Sequence, residues 1–190
     1  KDFINNRVFP YDDSGHGTHV SGIIAGDGYA SHGRFKGIAP MSQIISVKVL
    51  DSNGNGNIEN VIKGTKWIIN NKDIYNIKIV NISFGTTHNP SNTSELIKNV
   101  ENMWNEGIIV VAAAGNSGPK SHSITAPGTS RLVITVGSLL MIRHLIPAAV
   151  LLLMAFLSPN LLSLALISQR AVIKKMDIPP KAEHPCLHQL

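Results

Sequence analysis

Along the first 138 residues, short apolar runs alternate with segments whose apolar positions recur every three or four residues. Residues 43–50 (QIISVKVL), 77–84 (IKIVNISF), 108–114 (IIVVAAA) and 131–137 (RLVITVG) are runs of strand length rich in β-branched side chains. They are almost continuously apolar, the pattern of strands covered on both faces of a parallel sheet. Between them the spacing predicts helices. One carries Ile58, Val61, Ile62, Thr65 and Ile69 on one face, and a second carries Leu96, Val100, Met103 and Trp104 and closes at Gly107. A third runs over 16–26 (HGTHVSGIIAG) with Val20, Ile23 and Ile24 turned inward. Strands alternating with helices predict a layered α/β fold with a mostly parallel sheet.

The pattern breaks near Ser138. All sixteen glycines lie at or before Gly137, whereas three leucines precede the break and thirteen follow it; asparagine falls from sixteen to one, Asn160. Two segments result: a folded unit over 1–138, and a leucine-rich tail over 139–190 that is not expected to fold natively. Residues 145–168 are apolar enough in composition for a bilayer span, but Pro147, Pro159 and Asn160 interrupt them. A membrane anchor is therefore a weak reading. The net charge of +5 is too modest and too scattered to argue for nucleic acid by itself, and no nucleic-acid partner is expected. The single cysteine, Cys186, lies in the tail, so no disulfide forms within 1–138. Lys1 is not an initiator residue, and the reading expects sequence upstream of it.

Two motifs carry chemistry. His16 sits at the mouth of the first helix between Gly15 and Gly17, where an imidazole can reach a nucleophile and an orienting carboxylate. The plainer alternatives are that His16 and His19 are ordinary polar residues or an i,i+3 metal pair; the pair lacks the Glu of H-E-x-x-H and an obvious third ligand nearby. In the second, an apolar strand runs through Ala112, Ala113 and Ala114 into Gly115, Asn116, Ser117 and Gly118. It presents a side-chain amide where open α/β sheets place their ligands, although an Asn-Ser-Gly turn is also ordinary loop chemistry.

Together the motifs resemble the subtilisin-like serine proteases, or subtilases. G-H-G-T-H-V-x-G matches the family's histidine motif at His16, and A-A-G-N-S-G its oxyanion motif at Asn116. The resemblance implies a three-layer subtilisin-like fold, truncated at both ends. It implies that Gly54, Asn55 and Gly56 form one edge for an extended polypeptide substrate, with Ser83, Phe84 and Gly85 opposite and Gly115 beside the oxyanion donor. No cofactor is needed for the chemistry. Structural calcium is known in the family but no ligands are assigned, since Asp12, Asp27 and Asp51 are equally suited to solvation. Secretion is implied, and oligomeric state is not.

Two triad members have no match. Asp13, Ser14 and Gly15 spell D-S-G, but only three residues before His16, so the orienting Asp is expected upstream of Lys1. Gly128, Thr129 and Ser130 spell G-T-S ahead of a strand that precedes the family's serine, which makes Ser130 a turn residue. The chain is expected to be inactive; a non-catalytic peptide-binding module is the alternative, and a membrane-anchored protein a more distant one. With the later part of the family's domain missing, apolar faces would lie exposed and favour aggregation. Read one frame over, the codons possible for 182–189 permit Gly-Thr-Ser-Met-Ser-Ala-Pro, and those for 163–168 permit Pro-Gly-Val-Asn-Ile. We expect a lost base near the codons for 138–140. Sequencing the gene checks this: codons that cannot spell Gly-Thr-Ser in that frame would refute it.

Overall fold

The computed structural model describes residues 1–86, 90–118, 122–137 and 163–167, the last as backbone path. Helix α1 (His16–Ala25) precedes β1 (Gln43–Val47), α2 (Ile58–Asn71), β2 (Ile79–Ile82), α3 (Pro90–Asn105), β3 (Ile109–Ala113), β4 (Ile134–Val136) and β5 (Ser163–Ile167). The strands form one sheet in the order β1-β5-β2-β3-β4, and every pair is parallel.

Alternation across the pleat sends neighbouring residues to opposite cores. From β1, β2 and β3, Val47, Val80, Ile82, Val110 and Ala112 pack with Val61, Ile68, Leu96, Val100 and Met103 of α2 and α3. Ile79, Val111 and Val136 pack on the other face with Ile24 of α1, flanked by Val20 and Ile23. Helices therefore cover both faces, which accounts for the near-continuous apolarity of the strands and gives the expected three-layer α/β architecture. Gly64 permits the close seating of α2, since a Cβ there would press on Val49 Cγ1 at 2.8 Å.

Helix ends follow local chemistry. The Asn57 side chain accepts from Asn60 N at 2.8 Å and starts α2. Gly107, with φ +82°, ends α3 through the paired bonds Ile108 N to Met103 O and Gly107 N to Trp104 O. Asn76, at φ 50°, closes the turns after α2 in the same way, with Ile77 N reaching Lys72 O.

The expected inward position of Trp104 is corrected. It is 38% exposed, because it stands about 80° round the helix from Leu96, at the margin of the apolar stripe. Ile68, fully buried, takes the central place on α2 that the sequence reading left unassigned. All four expected strands exist but are shorter than their apolar runs. Residues 139–162 and 168–190 lie outside the described residues, and with them most of the leucine-rich tail and bilayer segment; the tail's residues 163–167, from a segment not expected to fold natively, lie in the sheet as β5 between β1 and β2. No helix among the described residues is long and apolar enough to cross a membrane.

Truncating Met103 or Ile68 to Ala is expected to cost about 2–5 kcal/mol, because each leaves a cavity between helix and sheet. Removing the α2 cap with Asn57→Ala should cost about 1 kcal/mol. Urea unfolding followed by circular dichroism measures both.

Candidate functional site

In a parallel sheet all strands end on the same edge, and that edge gathers the motifs. The chain leaves β1 through Lys48, Val49 and Leu50 into a tight turn. The Asp51 carboxylate accepts from Asn53 N at 2.9 Å and Asn55 N at 2.8 Å, while Asp51 N bonds Asn55 O at 2.8 Å. Gly54 is required there by its φ of +78°. Gly56 is required by close approach, because a Cβ would strike Leu50 Cδ2 and the Val49 carbonyl. The turn satisfies part of its hydrogen bonding internally; Gly54 serves its conformation and Gly56 its packing.

Beyond β2, Ser83, Phe84 and Gly85 continue over the same edge. Ser83 Oγ accepts from Asn81 Nδ2 at 2.7 Å. The Phe84 side chain is buried in the larger core, so its backbone is what remains to offer at the edge. Beyond β3, Gly115 (φ +96°) turns the chain out, and Asn116 stands exposed at the strand's carboxyl end.

Thr125 joins these two extensions, and sequence reasoning missed it. Its N–H bonds Ala114 O at 3.0 Å, and the next residue's carbonyl accepts from Thr86 N at 2.9 Å. A Cβ on either Gly85 or Gly115 would overlap the Thr125 hydroxyl. That hydroxyl is buried and has no hydrogen-bond partner among the described residues. Nothing in the local sequence marks it, because the glycines it touches, Gly115 and Gly85, lie ten and forty residues before it.

His16 is the first residue of α1. The mouth of that helix is tied to the carboxyl end of β1 by an ion pair, Lys48 Nζ to Asp13 Oδ1 at 2.7 Å. Asp13 therefore reaches the chain leaving β1. Burial lowers the His16 imidazole to about 4; His19 pushes it the same way, and Asp12 opposes them. His16 is accordingly neutral at physiological pH. Ser130 lies apart from this chemistry: its hydroxyl donates to Glu101 Oε1 of α3 at 2.8 Å and accepts from Leu132 N at 3.2 Å.

Among the described residues, no group of three or more His, Cys, Asp or Glu side chains is placed to hold a metal. Asp12, Asp27 and Asp51 accept from nearby backbone N–H groups. Calcium needs about six to eight oxygen ligands, and these separate carboxylates do not assemble such a set.

The signature of the subtilase family, peptidase S8, matches residues 1–156. Serine protease AprX of Bacillus subtilis (strain 168) is 42% identical over 144 residues, 73% of this chain and 33% of AprX. The minor extracellular protease Epr of the same organism is 39% identical over 129 residues, 67% of this chain and 18% of Epr. Among solved structures, Sphericase superimposes with a TM-score of 0.61 at 29% identity, covering 68% of this chain and 41% of that one. The chain thus spans at most a third of the length of these two curated relatives. With the histidine and oxyanion motifs on one edge of a parallel three-layer fold, and the family signature running across it, the chain belongs to the subtilase family.

Proposed function

We propose that the chain carries the base and oxyanion side of a subtilisin-like serine endopeptidase site, which takes an extended polypeptide. The observation that carries this reading is the shared sheet edge. His16, Asn116 and the segments at Gly54, Asn55, Gly56 and at Ser83, Phe84, Gly85 follow or adjoin the carboxyl ends of β1, β2 and β3. A substrate strand would lie between the two edge segments and pair through backbone groups.

In the acylation half of the reaction a serine hydroxyl attacks the peptide carbonyl carbon, and the imidazole Nε2 of His16 takes the hydroxyl proton. The carbonyl oxygen becomes an oxyanion, to which the Asn116 amide donates. The C–N bond then breaks, and the imidazolium returns its proton to the leaving amine. In the second half, after the amine leaves, water attacks the acyl-serine by the same proton route and frees the acid and the serine.

Among the described residues, Ser130 of the Gly-Thr-Ser triplet spends its hydroxyl on Glu101, which supports reading it outside the nucleophile's role. The chain also has a base of poor strength. A general base works best with a pKa near the working pH, and His16 sits at about 4. A facing carboxylate raises a neighbouring imidazole, and this is the contribution a triad Asp would make. We therefore read the chain as inactive in hydrolysis. Export is included in this reading, supported by the extracellular relative Epr. Calcium retains the status of a family property with no ligands assigned.

A fluorophosphonate probe should fail to label the chain; stoichiometric labelling followed by peptide mapping would overturn the inactive reading. Titrating a blocked alanine-rich hexapeptide into ¹⁵N-labelled protein should shift the amides of Gly54, Ser83, Gly85 and Asn116 with no cleavage in mass spectra. Shifts confined to other residues would overturn the assignment of the edges. Gly115→Ala should destabilise the fold by about 1–3 kcal/mol, because a non-glycine residue is strained at φ +96° and its Cβ meets Thr125. Chemical denaturation of Gly115→Ala, alone and with Thr125→Ala, separates the backbone part from the overlap.

A further inference from the structure

The residue before α1 is Gly15, whose φ is +80° and which offers no side-chain cap. A Cβ built on it would meet nothing within 4 Å, so packing does not hold it in place. Glycine gives the backbone more freedom here than any other residue would. Yet this is the joint on which His16 hangs, and α1 has no acidic residue in its first turn.

Asp12 supplies the missing constraint from outside the helix. Its Oδ1 accepts from Ser14 N at 3.0 Å and Gly15 N at 2.9 Å, and its Oδ2 accepts from Thr18 N at 2.7 Å. An ordinary cap reaches the second or third helical N–H from the residue next to the helix. Here the capping oxygen comes from three residues further back, and the same carboxylate also holds the turn. One oxygen binds the two residues preceding His16 and the other binds the second residue after it. We propose that Asp12 is a positioning residue, whose carboxylate clasps the chain on both sides of His16 and so fixes where the imidazole stands.

The charges around His16 agree with this. Burial pushes the Asp12 carboxyl up, but donation from the backbone and side chain of Thr18, and from the Ser14 and Gly15 backbone, outweighs it and holds the group below its ordinary value. Asp12 is therefore ionised at neutral pH, and its charge raises the His16 imidazole against burial and His19. Asp13, the adjacent carboxylate, is bonded to Lys48 from the end of β1. Asp12 thus joins two effects in one group: it holds the backbone on which the ring is carried, and it partly offsets the loss of proton affinity that burial imposes.

This inference rests on His16 acting as the base, but its test does not. His16 is followed by NMR in the full chain with ¹³C-labelled imidazoles, and amide exchange is followed at Gly15 and Thr18. Parent protein should titrate at about 4. Asp12→Asn, which keeps size but loses the charge and one acceptor, should lower the His16 midpoint and speed Thr18 exchange about tenfold, the loss of one charge-assisted bond. Asp12→Glu keeps the charge and should bring the midpoint back toward the parent. Asp13→Asn should leave it unmoved. Faster exchange without a midpoint shift would mean an ordinary helix cap, and a midpoint shift without faster exchange would mean a distant charge; either result overturns the proposal, as would an equal shift in Asp13→Asn. Peptide hydrolysis enters none of these readouts, so failure of the protease reading is distinguishable from failure of this one.

Discussion

Parallel pairing is the constraint on which the other features depend. Ile79 through Ile82 run in register with Ile109 through Ala112, and Val111 through Ala113 with Ile134 through Val136. A parallel pair cannot be joined by a tight hairpin, so the chain must travel back across a face between strands, and α2 and α3 are those return paths. Their cover, with α1 opposite, buries both faces. The same geometry delivers each strand's outgoing loop to one edge. Segments that begin dozens of residues apart thus meet without any direct sequence signal between them.

At that edge, close packing and electrostatics act in opposite directions. Gly85 and Gly115 bring two backbone segments against Thr125, leaving little room for a side chain. Burial around α1 keeps His16 uncharged and strips it of proton affinity. A tightly packed imidazole gives up proton affinity, and nearby negative charge opposes that loss. Two carboxylates of the segment that leads into His16 have partners of their own: Asp13 is paired with Lys48, and Asp12 accepts from three backbone groups.

Much of this was legible in the sequence. The four apolar runs mark four strands because burial on both faces leaves no polar alternation. Their ends were overestimated because the chain remains apolar where it leaves the sheet, as at Val49, Leu50 and Phe84. His16 and Asn116 were found by motif, and their neighbourhood only by geometry. The glycines at 54 and 56 were read as part of a substrate edge, and the structure adds a reason the reading did not contain: a positive φ at Gly54 and close approach to Leu50 at Gly56. Thr125 was invisible because its meaning depends on Gly115 and Gly85, ten and forty residues before it, which only the fold brings together. The clasp of Asp12 was invisible because a cap is ordinarily sought beside the helix, at a position that glycine occupies here.

The position of β5 has a consequence for how the molecule comes together. It lies between β1 and β2, with Gln43 beside Ser163 and Ile79 beside Leu164. In the order of synthesis, β2, β3 and β4 can pair as soon as each emerges, but β1 must wait for a strand that emerges far later. Until then, β1 and β2 each present an unsatisfied row of backbone donors and acceptors. Contacts this distant in sequence form slowly, because loop closure must precede any gain from pairing. On this topology the seat between β1 and β2 would be the last to fill, and its occupant comes from the leucine-rich tail, outside the unit over 1–138.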